Sequence, residues 1–243
     1  EWFMHKFKVF GDSHSRYFEV NEKVKFHAPW VKKYDVEVFK IPASSVIGLG
    51  RKRSKLNVAG SIKDKLACDG YNVFGFGQVD LELGYYYKKI IKREEVELGR
   101  FADYLVEVYA EFIKSLRLPA DLICIKGLNL TVLKYQPFAL AYVKRIILEN
   151  IDNESEIANA DKFLKANMES FSERNAATLE FNKKLRLKCK EEGWKYFDIN
   201  EYLSDFTPGK GIADRYIPSG FDHHLVDSIE IRKMHLSEMV KAI

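Results

Sequence analysis

The sequence predicts an α/β fold, a three-layer α/β/α sandwich built around a five-stranded parallel sheet. Two observations support this prediction. Short apolar runs rich in Val, Ile and Phe recur along the chain, and longer segments with helical spacing of apolar residues separate them. Strands separated by helices pair in parallel, and right-handed crossovers place helices on both faces of the sheet.

Five apolar runs are the candidate strands, and most of them end at Gly, Pro or Asp, as strands entering turns do. In chain order they are KFKVF (6–10), DVEVFKI (35–41), YNVFGF (71–76), DLICIKG (121–127) and WKYFDI (194–199). Four helical segments lie between and after them, with Pro137 in a first turn and Gly193 as a stop. They cover residues 93–116, 135–151, 159–193 (one or two helices) and 226–240.

Composition indicates a folded chain that does not bind nucleic acid. Of 243 residues, 47% are hydrophobic and 30% are charged, and the net charge of +4 is mild for this length. No apolar stretch approaches the roughly 18 residues that a membrane span needs. We expect one domain over residues 1–243. Because the sequence starts without Met and almost directly with a strand, we expect this domain to come from a longer chain.

The cysteines and the N-terminus indicate the compartment. Cys68, Cys124 and Cys189 are odd in number, widely spaced and form no CxxC pair, which favours free thiols and a reducing environment. The N-terminal EWFMHKFKVF lacks the apolar core and cleavage site of a signal peptide. We therefore expect a cytoplasmic protein.

In a parallel α/β sheet, ligands bind beyond the carboxyl ends of the strands. That rule selects residues 11–14, 42–50, 77–80 and 127–131 as the places to look for a site. The Pro/Gly-rich segment FTPGKGIADRYIPSGF (206–221) is a fifth candidate, because long loops in compact domains are often functional.

The stretch KVFGDSHSRYF places Ser13 directly after the first predicted strand. A sharp strand-to-helix turn there would expose the Ser13 hydroxyl above the sheet edge as a nucleophile. Alternatively, Ser13 caps the following helix and Asp12 is a turn residue. The sequence near the C-terminus offers a base for a nucleophile, since FDHHLVD puts Asp222 just before His223 and His224. A carboxylate beside an imidazole can fix its tautomer, although two solvated loop histidines would give the same pattern.

Three stretches, FGDSHSRYF, FGFGQVDLE and GFDHHL, resemble the sequence blocks of the SGNH or GDSL-like hydrolases in order and rough position. The resemblance spans nearly the whole chain. It implies a flavodoxin-like fold with Ser13 as the nucleophile, His224 as the general base and Asp222 as the residue that orients it. His223 is the alternative base, because the usual spacing between the Asp and the His is compressed here.

The resemblance also implies an esterase or O-acetyltransferase that acts on acyl esters, above all acetyl esters, of a carbohydrate or polysaccharide. Hydrolysis would need no cofactor, and a transferase would take acetyl-CoA as its donor. No apolar lid stands out, which argues against long-chain lipid substrates.

The block that should supply an oxyanion Asn is GQVD here, with Val79 at that position. Because an apolar side chain cannot donate a hydrogen bond, we expect the oxyanion hole to use the amides of Ser13 and Gly48 together with Gln78 or Asn129. Alternatively, Gly50 replaces Gly48 as the glycine donor, or the hole consists of backbone amides alone. The remaining polar positions of these loops are predicted to bind substrate. They are Asp12, His14, Gly77, Asp80, Asn129 and His223.

Two other functions remain open. Asp12, His14, Asp80, His223 and His224 are all metal-ligand types, which would suit a metal-dependent phosphoesterase, although the further motifs of those enzymes are absent. A catalytically impaired glycan-binding module is the other alternative, because Val79 removes an oxyanion donor. The basic run GRKRSKLN (50–57) is either a solvated surface or a rim at which Arg51, Lys52 or Arg53 meets an anionic substrate group.

Overall fold

The structure is a computed structural model that describes residues 4–51 and 57–243. It contains one five-stranded sheet of order β2-β1-β3-β4-β5, in which all neighbouring strands are parallel. The strands are β1 (His5–Gly11), β2 (Tyr34–Lys40), β3 (Tyr71–Gly75), β4 (Ile123–Lys126) and β5 (Lys195–Phe197). The five predicted strands and the parallel sheet are confirmed, and the strand order is the flavodoxin-like one.

Ten α-helices are described, and the five longest correspond to the four predicted segments. The helices are α1 (Glu22–His27), α2 (Val46–Gly50), α3 (Val58–Lys63), α4 (Tyr85–Ile90), α5 (Leu98–Ser115), α6 (Gln136–Ile147), α7 (Glu154–Asn167), α8 (Phe171–Glu192), α9 (Asn200–Leu203) and α10 (Ile229–Lys241). The segment 159–193 forms two helices, α7 and α8, and Gly193 ends α8 in the left-handed conformation with a φ of 74°.

Side chains of the sheet alternate between two packed faces, as the strand pleat requires. Phe7 and Val9 of β1 pack in one core with α1 and α10. Phe10 of β1 and Phe74 of β3 point to the other face and pack in a larger core with α5, α6 and α8. A fully buried Phe contributes roughly 1.5–3 kcal/mol relative to an exposed one, so both faces hold their helices mainly by apolar burial. This is the predicted three-layer sandwich.

Two glycines shape the carboxyl edge of the sheet. A Cβ on Gly11 would lie 2.6 Å from the carbonyl oxygen of Gly75 and 3.0 Å from the Cβ of Ser15, so only glycine allows this close approach of β1 to β3. Gly77 has a φ of 113°, which side-chain-bearing residues rarely adopt. The chain thus turns sharply at both positions, and the residues that follow are brought to one edge.

Among the described residues, no helix is long and apolar enough to cross a membrane. All three cysteines are free; Cys124 and Cys189 are buried and Cys68 is exposed. In the basic run, Arg51 is exposed, while Lys52 and Arg53 lie outside the described residues.

Candidate active site

The turn after β1 frees the Ser13 side chain. A short 3-10 helix, Ser13–Phe18, begins there, and its N-cap is Asp12, whose Oδ1 accepts a hydrogen bond of 2.8 Å from the His14 amide. The alternative that Ser13 caps this helix is therefore wrong, because Asp12 performs that function. Ser13 occupies the first helical position, is only half-buried and keeps its hydroxyl for other contacts.

Ser13, His224 and Asp222 form a continuous hydrogen-bonded chain. The Oγ of Ser13 lies 2.6 Å from Nε2 of His224, and Nδ1 of the same ring lies 2.5 Å from Oδ1 of Asp222. Asp222 Oδ1 also accepts hydrogen bonds from the amides of His223 and His224, at 2.7 and 3.2 Å. These amide contacts fix the carboxylate, which in turn fixes the ring with Nε2 facing Ser13. Residues 211 positions apart in sequence meet here because β1 ends beside the loop before α10.

The electrostatics leave His224 neutral at physiological pH. Burial and the positive charge of His14 lower the pKa of His224 to about 4, despite the hydrogen bond that its Nδ1–H donates to Asp222. Burial would raise the pKa of Asp222, but the hydrogen bonds from the His224 ring and the two amides hold it below its usual value. A neutral ring beside an ionised carboxylate has a free lone pair on Nε2, so it can accept the proton of Ser13.

A second imidazole–carboxylate pair lies against the first. Nδ1 of His14 is 2.9 Å from Oδ1 of Asp12, and both side chains are buried. Burial lowers the pKa of His14, but the Asp12 charge and hydrogen bond outweigh it and raise the pKa above its usual value. The His14 ring stacks on the His224 ring with centroids 4.3 Å apart and an interplanar angle of 29°.

His223 belongs to a third pair and does not contact Ser13. Its Nδ1 lies 3.1 Å from Oε2 of Glu82, and its ring stacks on Tyr142 with centroids 5.3 Å apart. Burial would raise the pKa of Glu82, but its bond to His223 and the His223 charge hold it low. The choice between the two adjacent histidines is thus resolved geometrically, since only His224 is oriented toward the serine.

Two of the predicted oxyanion donors are engaged elsewhere, which corrects that expectation. The Gly48 amide donates to Oγ of Ser45 at 2.9 Å, because Ser45 caps α2. Nε2 of Gln78 donates to Oε1 of Glu82 at 2.8 Å and to the carbonyl of Asn129 at 3.0 Å. A primary amide has only two N–H groups, so the Gln78 side chain has none left. The Ser13 amide, at the first position of a helix, has no intrahelical acceptor.

Several residues predicted to bind substrate are buried, and their side chains hydrogen-bond the protein around the site. Asp12, Asp80 and Asn129 are 0%, 2% and 2% exposed, so they offer almost no surface for the predicted contact with substrate. The Asp80 carboxylate accepts hydrogen bonds from the amides of Val46 and Ile47, at 2.8 and 3.2 Å. Burial raises its pKa to about 6. These contacts tie the loop after β3 to the start of α2.

Two further positions, Asn129 and Gly77, are likewise enclosed by the protein. Asn129 Oδ1 accepts a hydrogen bond of 2.8 Å from Nζ of Lys126, and Gly77 is buried against Leu128 and Phe181. Both lie at the carboxyl edge of the sheet but inside the protein. His14 and His223, each 7% exposed, are the predicted contacts nearest the serine.

Glu82, Lys126 and Tyr142 were not predicted as site residues. The buried ammonium of Lys126 has its pKa lowered to about 8 by burial. The sequence could have indicated this burial, because Lys126 is part of the apolar run DLICIKG, and a central parallel strand is buried along its length. Glu82 and Tyr142 gave none, because a lone Glu or Tyr in a helical segment is normally a surface or core residue.

An apolar groove of about 510 Å³ lies beside the triad. Its lining residues include Tyr135, Phe138, Ile217, Pro218 and Gly220. Phe221, which directly precedes Asp222, lies next to this lining, since its ring centroid is 5.1 Å from that of Phe138. A second depression of about 510 Å³, between α8, α9 and α10, contains no triad residue.

Comparison with solved structures shows the fold. The chain superposes on phospholipase A1 from Streptomyces albidoflavus NA297 with a TM-score of 0.55 and 10% identity, over 99% of this chain and 100% of that one. It is similar to a protein from Slackia heliotrinireducens provisionally described as an SGNH hydrolase (TM-score 0.51, 10% identity, 98% of each chain). It is also similar to an extracellular lipase from Streptomyces rimosus (TM-score 0.51, 10% identity, 98% of this chain and 100% of that one).

These likenesses show that the chain has the SGNH hydrolase fold. No protein-family model matches the sequence, and no curated protein is significantly similar to it. At 10% identity, activity has to be argued from the site itself.

Proposed function

We propose that this protein is an SGNH-type serine esterase or O-acyltransferase whose triad is Ser13, His224 and Asp222. The observation that carries the proposal is the hydrogen-bonded chain from Ser13 Oγ through both nitrogens of His224 to the Asp222 carboxylate. Nucleophile, base and orienting group are each within contact distance of the next, which is the arrangement that activates a serine.

The reaction follows from the geometry. The Ser13 hydroxyl passes its proton to Nε2 of His224 while its Oγ attacks the carbonyl carbon of the ester. The tetrahedral intermediate collapses when the imidazolium returns that proton to the departing alcohol, leaving the acyl group on Ser13. Water, or the hydroxyl of an acceptor, then loses its proton to His224 and attacks the acyl-enzyme, which releases the acid or the new ester and restores Ser13.

The charge that develops on the carbonyl oxygen needs hydrogen-bond donors. The Ser13 amide is the donor that the structure leaves without an intrahelical acceptor, while Gly48 and Gln78 are engaged elsewhere. Loss of one donor costs about 10²–10³ in kcat. We therefore expect a turnover lower than that of an enzyme with a complete oxyanion hole.

The substrate class proposed is a short acyl ester, above all an acetyl ester, of a carbohydrate, with acetyl-CoA as the donor if the enzyme is a transferase. This rests on the sequence resemblance, and the groove beside the triad supports it. Tyr135 and Phe221 expose 72% and 41% of their surface there, and exposed aromatic rings give a sugar ring a face to stack on.

A second substrate class is favoured by the apolar lining of the same groove. Phe138, Ile217 and Pro218 offer surface that a longer acyl chain would bury. Two proteins of the same fold, from S. albidoflavus and S. rimosus, are named as a phospholipase and a lipase. Under this alternative the groove holds the acyl chain of the ester and not its alcohol.

The test compares the wild type with Ser13→Ala on chromogenic acetate and octanoate esters, acetylated oligosaccharides, and acetyl-CoA with an oligosaccharide acceptor. We expect hydrolysis or transfer by the wild type, a fluorophosphonate label on Ser13, and a rate loss of at least about 10³-fold in the variant. An unchanged rate in Ser13→Ala would refute the nucleophile. Glycan binding without labelling or turnover would instead establish a binding module.

A further inference from the structure

Three imidazole rings converge beside Ser13. His14, His223 and His224 each bring a ligand nitrogen within 4.8 Å of the other two. Their ring centroids are 4.3 to 4.7 Å apart in all three pairs. A serine triad needs only one of these rings, so the other two require a different explanation.

Each of the three rings hydrogen-bonds a carboxylate through the same nitrogen. Nδ1 contacts Asp12 in His14, Glu82 in His223 and Asp222 in His224, at 2.9, 3.1 and 2.5 Å. Histidines that bind a metal nearly always use their other ring nitrogen in this way, because a carboxylate fixes the ring and makes the free nitrogen more basic. The repeated pattern leaves the Nε2 atom of each ring for another contact, which in His224 is Ser13; a metal on Nε2 of His14 would displace the proton of that nitrogen.

One of those Nε2 atoms is unpartnered and buried. Nε2 of His14 has no hydrogen-bond partner among the described residues, and the His14 side chain is only 8% exposed. Nε2 of His224 contacts Ser13. A buried nitrogen without a partner is unfavourable, and a bound cation would provide that partner.

The charges around the rings also favour a cation. Asp12 and Glu82 are buried, 0% and 9% exposed, and Asp222 is half-buried. Three carboxylates enclosing three imidazoles provide the negative charge that a divalent metal requires.

We propose that Nε2 of His14, His223 and His224 bind one zinc ion, and that this ion switches the serine site off. Three imidazoles with a fourth position open are a common zinc environment. Zn–N bonds of about 2.0–2.1 Å in tetrahedral geometry place the nitrogens about 3.3 Å apart, so ligand atoms that lie within 4.8 Å of one another would move closer together to bind one ion.

The inhibitory part rests on the proposed esterase function. A metal on Nε2 of His224 takes the lone pair that must accept the Ser13 proton. Metal binding and acyl transfer therefore exclude each other, and the serine is released only when the metal leaves.

The first experiment measures metal binding without reference to activity. Chelator-stripped protein is titrated with ZnCl₂ by calorimetry, and with Co²⁺ as a spectroscopic probe of tetrahedral coordination. We expect one site, weakened at least about 100-fold in His14→Gln and in His223→Gln, because losing a ligand exceeds the 10–100-fold effect of losing a supporting residue. His27→Gln is the matched control, since His27 is exposed. Circular dichroism checks that each variant folds.

Equal zinc affinity in the wild type and both variants, or no binding at all, would overturn the site. The unpartnered His14 nitrogen would then be explained by water in the cavity of about 20 Å³ that Asp12, His14 and Lys126 help to line. Ser13→Ala keeps all three rings and should bind zinc as the wild type does, even if the protein proves to have no esterase activity.

The second experiment tests the switch. Zinc should inhibit the wild type at the concentration at which it binds, and EDTA should restore the rate. His223→Gln, which keeps the triad, should lose this inhibition. Inhibition of His223→Gln at the same zinc concentration as the wild type would refute the switch, and an inactive but zinc-binding wild type would refute the esterase function alone.

Discussion

The ring of His14 stacks on the ring of His224 at 4.3 Å, and each ring hydrogen-bonds its own carboxylate, Asp12 and Asp222. Although their contacts are alike, the two rings differ in charge: His14 is positively charged and His224 is neutral. His14 is buried with an ionised carboxylate, so its pKa is raised, and its positive charge is one cause of the lowered pKa of His224. The positive charge of His14 thus helps to keep the His224 ring neutral, the form that can act as a base.

His14→Gln should shift the acid limb of the pH–rate profile upward. The reaction needs neutral His224, whose pKa is lowered to about 4, so wild-type kcat/KM should fall only as pH drops through about 4. Without the His14 charge the pKa of His224 rises toward its ordinary value, and the variant should lose activity at a higher pH. The profile of kcat/KM on a chromogenic acetate reports this pKa. Coincident acid limbs in the variant, the wild type and a His27→Gln control would contradict the coupling.

Asp222→Asn should reduce kcat by about 10⁴-fold with little change in KM. An amide can still accept the hydrogen bonds of the two backbone amides, but it cannot stabilise the imidazolium, and its N–H group favours the wrong ring tautomer. Steady-state kinetics on the same acetate measure the loss. Asp227→Asn is the matched control, because Asp227 lies five residues further on and pairs with Arg232 at the surface. A loss below about tenfold in Asp222→Asn would remove Asp222 from the triad.

Most of the fold could be predicted from the sequence, because its long elements carry strong periodicity. The strands and the four long helical segments each bury one or two apolar faces, so their apolar residues recur at strand or helix spacing in the sequence. The short helices α2, α3 and α9 have at most six residues, too few for a period to show. The structure holds them by capping and by tertiary contacts, such as the Asp80 carboxylate at the start of α2.

The contact of Ser13, His224 and Asp222 could be expected from the sequence because these residues lie in short motifs at strand and loop ends. The oxyanion donors could not, because donor availability depends on contacts that no local pattern encodes. Gln78 is engaged by Glu82 and Asn129, and the latter is 51 positions away in sequence. His14, His223 and His224 could be singled out from the sequence as metal-ligand types, but the contacts among their rings could not, since His14 and His223 meet only when the sheet is assembled.

Asp80→Ala should destabilise the protein by at least about 1–3 kcal/mol. The substitution leaves the Val46 amide, which is buried, and the Ile47 amide without an acceptor, and one unsatisfied buried donor costs about that much. Urea unfolding followed by circular dichroism measures the free energy. Asp152→Ala is the control, because Asp152 is exposed and surface substitutions usually stay within about 0.5 kcal/mol. Equal midpoints for the two variants would contradict this function of Asp80.

The stability deficit of Asp80→Asn should depend on pH in a defined direction. Burial raises the pKa of Asp80 to about 6 in the folded protein, so the folded state holds this proton more tightly than the unfolded chain does. The contribution of Asp80 to stability is thus largest below about pH 4 and declines as pH rises through 6. Asn does not titrate, so the stability deficit of Asp80→Asn should shrink between pH 4 and pH 7. A deficit that grows with pH would mean that the ionised carboxylate is the stabilising form.

Gly220→Phe should separate the two substrate classes, because it fills the groove without straining the backbone. A Cβ on Gly220 meets nothing within 4 Å, and its φ is not in the left-handed region, so a phenyl ring can enter the space beside Phe138 and Ile217. If the groove holds the sugar, KM for acetylated oligosaccharides should rise at least about tenfold, while kcat/KM on small chromogenic acetate and octanoate stays unchanged. If the groove holds the acyl chain, kcat/KM on the octanoate ester should fall, while kcat/KM on the chromogenic acetate and on the acetylated oligosaccharides should be unchanged. Gly99→Phe is the matched control, since Gly99 also has open space but lies in the first turn of α5. Unchanged kinetics on every substrate would show that neither part of the ester occupies the groove.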